Sequence, residues 1–268
     1  MTSMDFRIRK RLKHYFFAAP KKYIYDRRIL LDPSRAPGTE ASQLLNEIIS
    51  VKNYSGKYLE IGVERGLTFE GVNIKEKFAV DPHILFNRWV KNSNAKLFEV
   101  TSDEFFEKGL HQNTTFDLIY LDGLHTFEQT YRDLENSFRL MNSNSLLVID
   151  DTVPSDIFSA NPIQHLAYQS RIEAGLKNDG SWHGDTFKVV CALSQLQLPG
   201  VNFRTLVDLQ NPKTVIWLSR GFDWPKELPA IHTYSLGGFT YQDYFMPHIS
   251  KVFNPVFKNI FLEEISGS

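Results

Sequence analysis

The stretch Asp117-Leu-Ile-Tyr-Leu-Asp122-Gly-Leu-His125 carries an apolar run that ends in an acid, and a histidine follows three residues later. Residues 116–121 are nearly all apolar and strand-favouring, a pattern typical of a parallel strand that is covered on both faces. Asp122 is therefore expected at the carboxyl end of this strand. Because ligands of open α/β sheets bind outside the carboxyl ends of the strands, this position indicates a site rather than packing.

A second apolar run, Ser145-Leu-Leu-Val-Ile149, leads directly into Asp150 and Asp151. The two strands are expected to be neighbours, so that three carboxylates gather at adjacent strand ends. Because such charges repel one another, either one carboxyl group stays protonated or a cation holds them. The alternative is that Asp150 caps the following segment and Asp151 faces solvent.

Length and composition indicate a globular protein with one large domain and extended ends. The chain has 268 residues, of which 42% are apolar, and no apolar run approaches the roughly 18 residues that span a bilayer. The single cysteine, Cys191, excludes a disulfide within the chain and a cysteine-based zinc site. The apolar segment near the N-terminus is too short for the core of a signal peptide, so we expect a cytoplasmic protein.

Positive charge is concentrated near the N-terminus, although the net charge of the chain is −1. Residues 1–28 carry nine Lys or Arg and two Asp, interleaved with aromatic and aliphatic side chains. The overall charge disfavours a general nucleic-acid partner. This arm suits contact with an anionic membrane surface or an acidic substrate, or else packing of an apolar stripe on the core or on a sister subunit. Turn residues at 32–38 separate it from the domain that follows.

A glycine-bearing turn follows the first predicted strand, in the sequence Glu60-Ile-Gly62-x-x-x-Gly66. A dinucleotide fingerprint would place a glycine where Glu60 stands, because the backbone must approach a pyrophosphate. Two glycines and an acid suit instead a ligand that carries an ammonium group and an adenosine but no pyrophosphate, such as S-adenosylmethionine. The alternative is an ordinary strand-to-helix turn.

Two further predicted strands end in polar residues that suit the same ligand. Asp81 follows the second strand, 21 residues after Glu60, which is about the spacing at which an acid meets ribose hydroxyls. Thr101, Ser102 and Asp103 follow the third strand, and their side chains suit either an adenine edge or the cap of the next helix. The candidate cofactor-binding residues are Glu60, Gly62, Gly66, Asp81, Ser102 and Asp103.

Together these motifs resemble class I S-adenosylmethionine-dependent methyltransferases, and in particular the bacterial metal-dependent O-methyltransferases that act on macrolide sugars and related glycosylated products. The likeness covers about residues 57–195 and rests on Glu60-Ile-Gly62-x-x-x-Gly66, Asp81, Leu121-Asp122-Gly-x-His125, Ile149-Asp150-Asp151 and Gly184-Asp185-Thr-Phe-Lys188. It implies an α/β fold with a Rossmann-like, doubly wound, seven-stranded and mostly parallel sheet that ends in an antiparallel hairpin. Residues 201–208 and 214–219 are predicted to form this hairpin.

By the same likeness, Asp122, Asp150 and Asp151 bind Mg2+ and His125 is the general base. Relatives often carry Glu where this chain has Asp150, whose side chain is one methylene shorter. Mg2+ prefers six oxygen ligands, so three carboxylates leave three positions for two substrate hydroxyls and a water. This arithmetic favours a vicinal diol as the acceptor, with the cation lowering the pKa of the reacting hydroxyl.

The sequence predicts three segments and one activity. The segments are a basic arm and linker at 1–38, a methyltransferase domain at 39–220, and an aromatic tail at 221–268 that contacts the acceptor or a second copy of the chain. The expected activity is Mg2+-assisted O-methylation of a sugar or another glycosylated small molecule. The alternatives are a metal-independent N- or carboxyl-methyltransferase and a non-catalytic module that retains the fold.

Overall fold

A central sheet of eight strands organises the described residues, which are 39–86, 94–177, 180–229 and 252–267 of a computed structural model. The strands are β1 (Lys57–Ile61), β2 (Glu76–Val80), β3 (Asn94–Phe98), β4 (Phe116–Leu121), β5 (Met141–Ile149), β6 (Val201–Leu206), β7 (Lys213–Leu218) and β8 (Pro255–Val256). Their order across the sheet is β3-β2-β1-β4-β5-β7-β6-β8. Strand β7 pairs antiparallel with β5 and β6, and the other pairs are parallel.

Helices cover both faces of this sheet. Those described are α1 (Glu40–Lys52), α2 (Leu67–Gly71), α3 (Ser102–Glu107), α4 (Phe127–Phe138), α5 (Gln164–Glu173), α6 (Phe187–Leu196) and α7 (Lys258–Ser266). The apolar side chains of α1, α2 and α7 pack on one face, and those of α3, α4 and α6 pack on the other. This is the Rossmann-like, doubly wound α/β arrangement that the motifs predict, so the predicted fold class is confirmed.

The continuous apolar run of β4 reflects its position at the centre of the sheet. Ile119 and Leu121 face the cores of α4 and α6, whereas Leu118 and Tyr120 face that of α1. All four side chains are buried. Since successive side chains of a strand point to opposite faces, a strand that is covered on both faces needs apolar residues at every position.

The predicted number of seven strands is wrong by one. Strand β8 adds to the outer edge of β6, with Thr205 opposite Pro255 and Leu206 opposite Val256. A strand of two residues is too short to leave a detectable period in the sequence, and a proline is tolerated there because the strand lies at an edge. Helix α7 follows and packs against α1, where Lys258 Nζ lies 2.8 Å from Glu47 Oε1.

The N-terminal arm lies outside the described residues. The same is true of residues 230–251, which form nearly half of the aromatic tail that is expected to contact the acceptor or a second copy of the chain. Both expectations therefore stay predictions. Among the helices that the structure describes, none has the length and apolar content needed to cross a membrane.

The turn after β1 lies directly against the end of β4. Gly62 has a φ of +87°, and a Cβ atom at this position would lie 1.8 Å from the carbonyl oxygen of Asp122. The N–H of Gly62 also donates to the carbonyl of Val80, at 2.8 Å, so the turn is attached to the end of β2. Only glycine combines this left-handed backbone with so close an approach.

We expect Gly62→Ala to destabilise the protein more than Gly221→Ala does. Gly221 has almost the same φ, +86°, but a Cβ atom there meets nothing within 4 Å. The two variants share the backbone strain, and only Gly62→Ala adds a clash with the β4 end, which should cost about 1–3 kcal/mol more in the free energy of unfolding. Thermal and urea unfolding measure the difference, and equal losses would contradict the steric role of Gly62.

Candidate active site

Asp122, His125 and Asp151 come together at the carboxyl ends of β4 and β5. The two strands pair in parallel, with Leu121 opposite Ile149, so the residues that follow them lie side by side. One nitrogen or oxygen atom from each of the three side chains lies within 4.8 Å of the other two. We call these three residues the acid-histidine cluster.

The ring of His125 lies between the two carboxylates of this cluster. Its Nε2 is 3.3 Å from Asp122 Oδ1, and its Nδ1 is 3.0 Å from Asp151 Oδ2 and 2.9 Å from the carbonyl oxygen of Trp182. Burial by itself lowers the pKa of His125, but the charges of Asp151 and Asp122 and these hydrogen bonds raise it to about 10. Without another cation, the ring is therefore an imidazolium that compensates both acids.

Excess negative charge persists around this imidazolium. Burial and the neighbouring charge of Asp150 raise the pKa of Asp122 to about 7, although 30% of the Asp122 side chain is exposed.

Asp151 has a φ of +55°, which is uncommon for a residue other than glycine, and its N–H donates to Asp150 Oδ1 at 2.8 Å. Strained backbone of this kind is retained at functional sites, where the surrounding structure holds it in place.

Both carboxylate oxygens of Asp150 are engaged by protein donors. Lys213 Nζ donates to Oδ1 at 2.6 Å, Asn211 Nδ2 donates to the same oxygen at 2.9 Å, and the Tyr120 hydroxyl donates to Oδ2. Burial raises the pKa of Asp150, but the Lys213 ammonium outweighs this effect and holds the pKa below its ordinary value. Of the predicted metal ligands, the structure thus groups Asp122 and Asp151 with His125 and pairs Asp150 with Lys213.

Lys213 and Asn211 were missed by the sequence reasoning. Lys213 is 2% exposed and opens β7, whose remaining residues are buried. A charged residue at the start of an otherwise apolar strand is the signal that would have indicated it, because a buried lysine requires a partner. The sequence carries no comparable signal for Asn211, which lies in a turn that resembles any other hairpin turn.

A loop before α6 covers the cluster with an aromatic ring. The indole of Trp182 stacks on the ring of His125, with centroids 5.0 Å apart and planes at 27°, and its Nε1 donates to the carbonyl of Asn161 at 2.7 Å. Gly184 follows with a φ of +58°, and a Cβ there would lie 1.6 Å from the His125 carbonyl oxygen. His183, between them, is buried with its Nε2 3.7 Å from Asp151 Oδ1.

Two of the candidate cofactor residues, Glu60 and Asp81, already have hydrogen-bond partners within the protein. Glu60 is 1% exposed and accepts a hydrogen bond from the Tyr58 hydroxyl at 2.5 Å. Burial and the nearby charge of Asp122 raise the pKa of Glu60 well above its ordinary value, although the bond from Tyr58 opposes this. Asp81 accepts from the N–H of Glu64 at 2.9 Å and from the N–H of His83 at 2.7 Å. Asp81 therefore ties the turn after β1 to the end of β2.

Ser102 and Asp103 join α3 to α4. The side chain that caps α3 is that of Thr101, which accepts from the N–H of Glu104 at 3.2 Å. Gln129 Nε2 donates to Ser102 Oγ and to Asp103 Oδ1, both at 3.0 Å. Neither Ser102 nor Asp103 therefore supplies the capping side chain, and their contact with an adenine stays a prediction.

Residues 59–152 match the family of methyltransferase domains. This segment of the chain is a methyltransferase domain. It runs from β1 to just beyond β5, so it contains every candidate residue from Glu60 to Asp151. The recognition of a methyltransferase from the motifs is confirmed.

Solved structures similar to this chain include several described as O-methyltransferases. A protein assigned as an O-methyltransferase from Klebsiella pneumoniae is 14% identical, with 72% of this chain and 89% of that chain covered and a TM-score of 0.48. An O-methyltransferase from Bacillus cereus, in complex with S-adenosylhomocysteine, is 11% identical, with 71% and 89% covered and a TM-score of 0.43. The O-methyltransferase TomG from Streptomyces achromogenes, involved in tomaymycin synthesis and in complex with S-adenosylmethionine, is 9% identical, with 69% and 82% covered and a TM-score of 0.44. Among curated protein sequences, none matches this chain.

A further buried acid of the methyltransferase domain makes its stability depend on pH. Asp133 is 2% exposed and accepts from Gln129 Nε2 at 3.1 Å. Burial raises its pKa from an ordinary 3.8 to about 6, against the opposing effect of hydrogen bonds from Ser102 and Gln129. The folded protein therefore binds this proton more tightly than the unfolded chain. The resulting stabilisation is complete below pH 3.8 and is lost as the pH rises through 6.

We expect Asp133→Asn to raise the stability at pH 8 but not at pH 4, because the amide stays neutral where Asp133 must ionise. The gain at pH 8 is at most about 3 kcal/mol, the equivalent of a shift of two pKa units. Urea unfolding at both pH values measures it. Asn136→Ala, at a half-buried and uncharged position of the same helix, is the control, and its effect should not change with pH. An Asp133→Asn effect that is the same at both pH values would contradict the shifted pKa.

Proposed function

We propose that this methyltransferase transfers the methyl group of S-adenosylmethionine to a hydroxyl of a sugar or a glycosylated small molecule, with the help of a divalent cation. The observation that carries the proposal is the closeness of two features. The glycine turn after β1 lies against the backbone of Asp122, and Asp122 belongs to the acid-histidine cluster. A cofactor on that turn would therefore lie beside groups that can bind and deprotonate a hydroxyl.

The cofactor would be held by the turn that begins at Gly62, by Asp81, and by Ser102 and Asp103. The fit rests on the backbone of this turn, where Gly62, Glu64 and Gly66 have φ values of +87°, +35° and +70°. A Cβ on Gly66 would lie 2.6 Å from the ring of Phe86, so side chains larger than hydrogen would close the turn. S-adenosylmethionine supplies an activated methyl group on a sulfonium. The protein then contributes orientation and the removal of one proton.

A divalent cation would be held by Asp122 and Asp151. The residues fit such an ion because two acids of the cluster are close enough to share it and Asp122 resists ionisation without it. Carboxylates suit Mg2+ and Mn2+, and the imidazole beside them extends the range to zinc or iron. The ion supplies Lewis acidity, which lowers the pKa of a bound hydroxyl.

His125 would take the proton from the acceptor. Its Nδ1 is turned toward the carbonyl oxygen of Trp182, to which a neutral ring donates, and this leaves Nε2 as the basic atom. The stacked indole of Trp182 restricts the rotation of the ring. The same indole is half-buried and offers a flat apolar surface of the kind on which a sugar ring packs.

A second candidate is a methyltransferase that needs no metal. It is favoured by the two protein cations at the site, since Lys213 compensates Asp150 and the His125 imidazolium lies between Asp122 and Asp151. These contacts neutralise most of the acid charge without an added ion. The acceptor would then be a nitrogen or a carboxylate, neither of which requires a chelated hydroxyl.

Calorimetry and a methyl-transfer assay test the proposal. We expect S-adenosylhomocysteine to bind the purified protein and NADH not to bind, because the turn after β1 lacks the first glycine of a dinucleotide site. We also expect transfer of a labelled methyl group from S-adenosylmethionine to glycosides that carry vicinal diols. This transfer should stop in EDTA and return when Mg2+ or Mn2+ is added. Full turnover in EDTA favours the metal-independent candidate, and binding of NADH alone would refute both.

Replacement of His125 separates its role as a base from a role in packing. His125→Ala is expected to lower turnover by about a hundredfold or more, the usual contribution of a general base, and to leave the Kd for S-adenosylhomocysteine unchanged. His111→Ala, outside the cluster, is the control and should keep normal turnover. A His125→Ala variant that retains normal turnover would place the base elsewhere.

Binding of Mn2+ should also displace the proton of His125. At pH 8 the ring is protonated in the cation-free protein, because its pKa is about 10, and an added divalent charge lowers this pKa. Calorimetry in two buffers of different ionisation enthalpy should show release of about one proton per ion. The release should disappear in His125→Ala, and unchanged release would show that the proton comes from another group.

A further inference from the structure

We infer that the turn between β6 and β7 divides the roles of the two consecutive aspartates, so that Asp150 is a structural anchor and Asp151 is the acid presented to a cation. Asn211 is the positioning residue of this turn, and Lys213 compensates the charge of Asp150. The inference rests on the proposed cation site, and it assigns to Asp150 a role different from the metal ligand that the motif alone predicts.

The amide of Asn211 holds both aspartates at once. Its Nδ2 donates to Asp150 Oδ1 at 2.9 Å and to Asp151 Oδ1 at 2.8 Å. Its Oδ1 is buried, and no partner for it is found among the described residues. A flipped amide would place that oxygen against two carboxylate oxygens, so repulsion selects the observed orientation. The amide nitrogen therefore fixes the spacing of the two acids, although the amide oxygen accepts no hydrogen bond from the described residues.

Lys213 completes the anchor on Asp150. Its Nζ donates to Asp150 Oδ1 at 2.6 Å and to the carbonyl oxygen of Asn211 at 3.1 Å. Both charged side chains are almost fully buried. An ammonium that is paired and buried in this way stays attached, because separation would leave two uncompensated charges inside the protein.

The turn is also attached to the first helix of the domain. The N–H groups of Gln210 and Asn211 donate to the carboxylate of Glu40, at 2.9 and 3.3 Å. Glu40 is the first residue of α1, so the turn is held by the helix layer as well as by the sheet.

The two aspartates therefore differ in their capacity to bind an ion. Both oxygens of Asp150 already accept hydrogen bonds, from Lys213, Asn211 and Tyr120. Asp151 keeps its Oδ2 on the side of His125.

Binding of Mn2+ to the cofactor-free protein, followed by electron paramagnetic resonance of the free ion, tests the division of roles without any need for methyl transfer. The decisive variant carries Asp150→Asn and Lys213→Gln together, which removes a pair of opposite charges and leaves the net charge of the site unchanged. We expect its Kd for Mn2+ to stay within about threefold of the parent value. Asp151→Asn should weaken binding by about a hundredfold or more, as loss of a direct ligand does.

Asn211→Ala provides a second, independent measurement. It should weaken Mn2+ binding by about tenfold, the usual effect of a group that orients a metal ligand, with little change in Tm because the side chain lies in a partly exposed turn. Asn202→Ala is the matched control, since its amide bonds to Gly200 and Ser219 at the other end of the hairpin. Its Kd should equal that of the parent.

Three results would overturn the inference. A folded double variant that loses Mn2+ binding by tenfold or more would make Asp150 a ligand. An Asn211→Ala variant with the parental Kd would remove the positioning role of the turn. A parent protein that binds no Mn2+ would refute the cation in the proposed function and this inference with it, whereas the first two results leave the proposed function standing.

Discussion

Compensation of buried negative charge at the carboxyl ends of β4 and β5 is the interaction on which the rest of the site depends. Burial of a carboxylate costs several kcal/mol unless a partner offsets it. Lys213 offsets Asp150, and the ring of His125 lies between Asp122 and Asp151. Because these two cations come from different segments, the start of β7 and the segment before α4 must both be in place before the site exists.

The geometry of the sheet brings this charge beside the cofactor turn. Parallel pairing of β1 with β4 and of β4 with β5 ends three neighbouring strands at one edge. Gly62 then permits the turn after β1 to approach the Asp122 backbone more closely than any side chain would allow. A methyl donor on the turn and a hydroxyl on the cluster would lie next to each other for this reason. Proximity of this kind is most of what methyl transfer needs from a protein.

The fold and the position of the acids in the candidate site could be predicted, because both follow from residues that are close together in the chain. Apolar runs on β4 and β5 mark strands that are covered on both faces, and acids directly after them must gather at one edge. Strand β8 could not be predicted, since two residues carry no period. The partners of Asp150 could not be predicted either, because Asn211 and Lys213 follow it by about sixty residues and approach it only through the antiparallel pairing of β5 with β7.

The sequence by itself determined the class of the domain. An acid at the end of the first strand, two glycines directly after it, and an aspartate and a histidine after the fourth strand are all close to one another in the chain. Only the tertiary structure decided what each charged group does. It turned Ser102 and Asp103 toward Gln129, buried Glu60 beside Tyr58, and paired Asp150 with Lys213. The physical reason is that the charge state and reach of a carboxylate depend on the groups around it in space, and these come from segments that are distant in the chain.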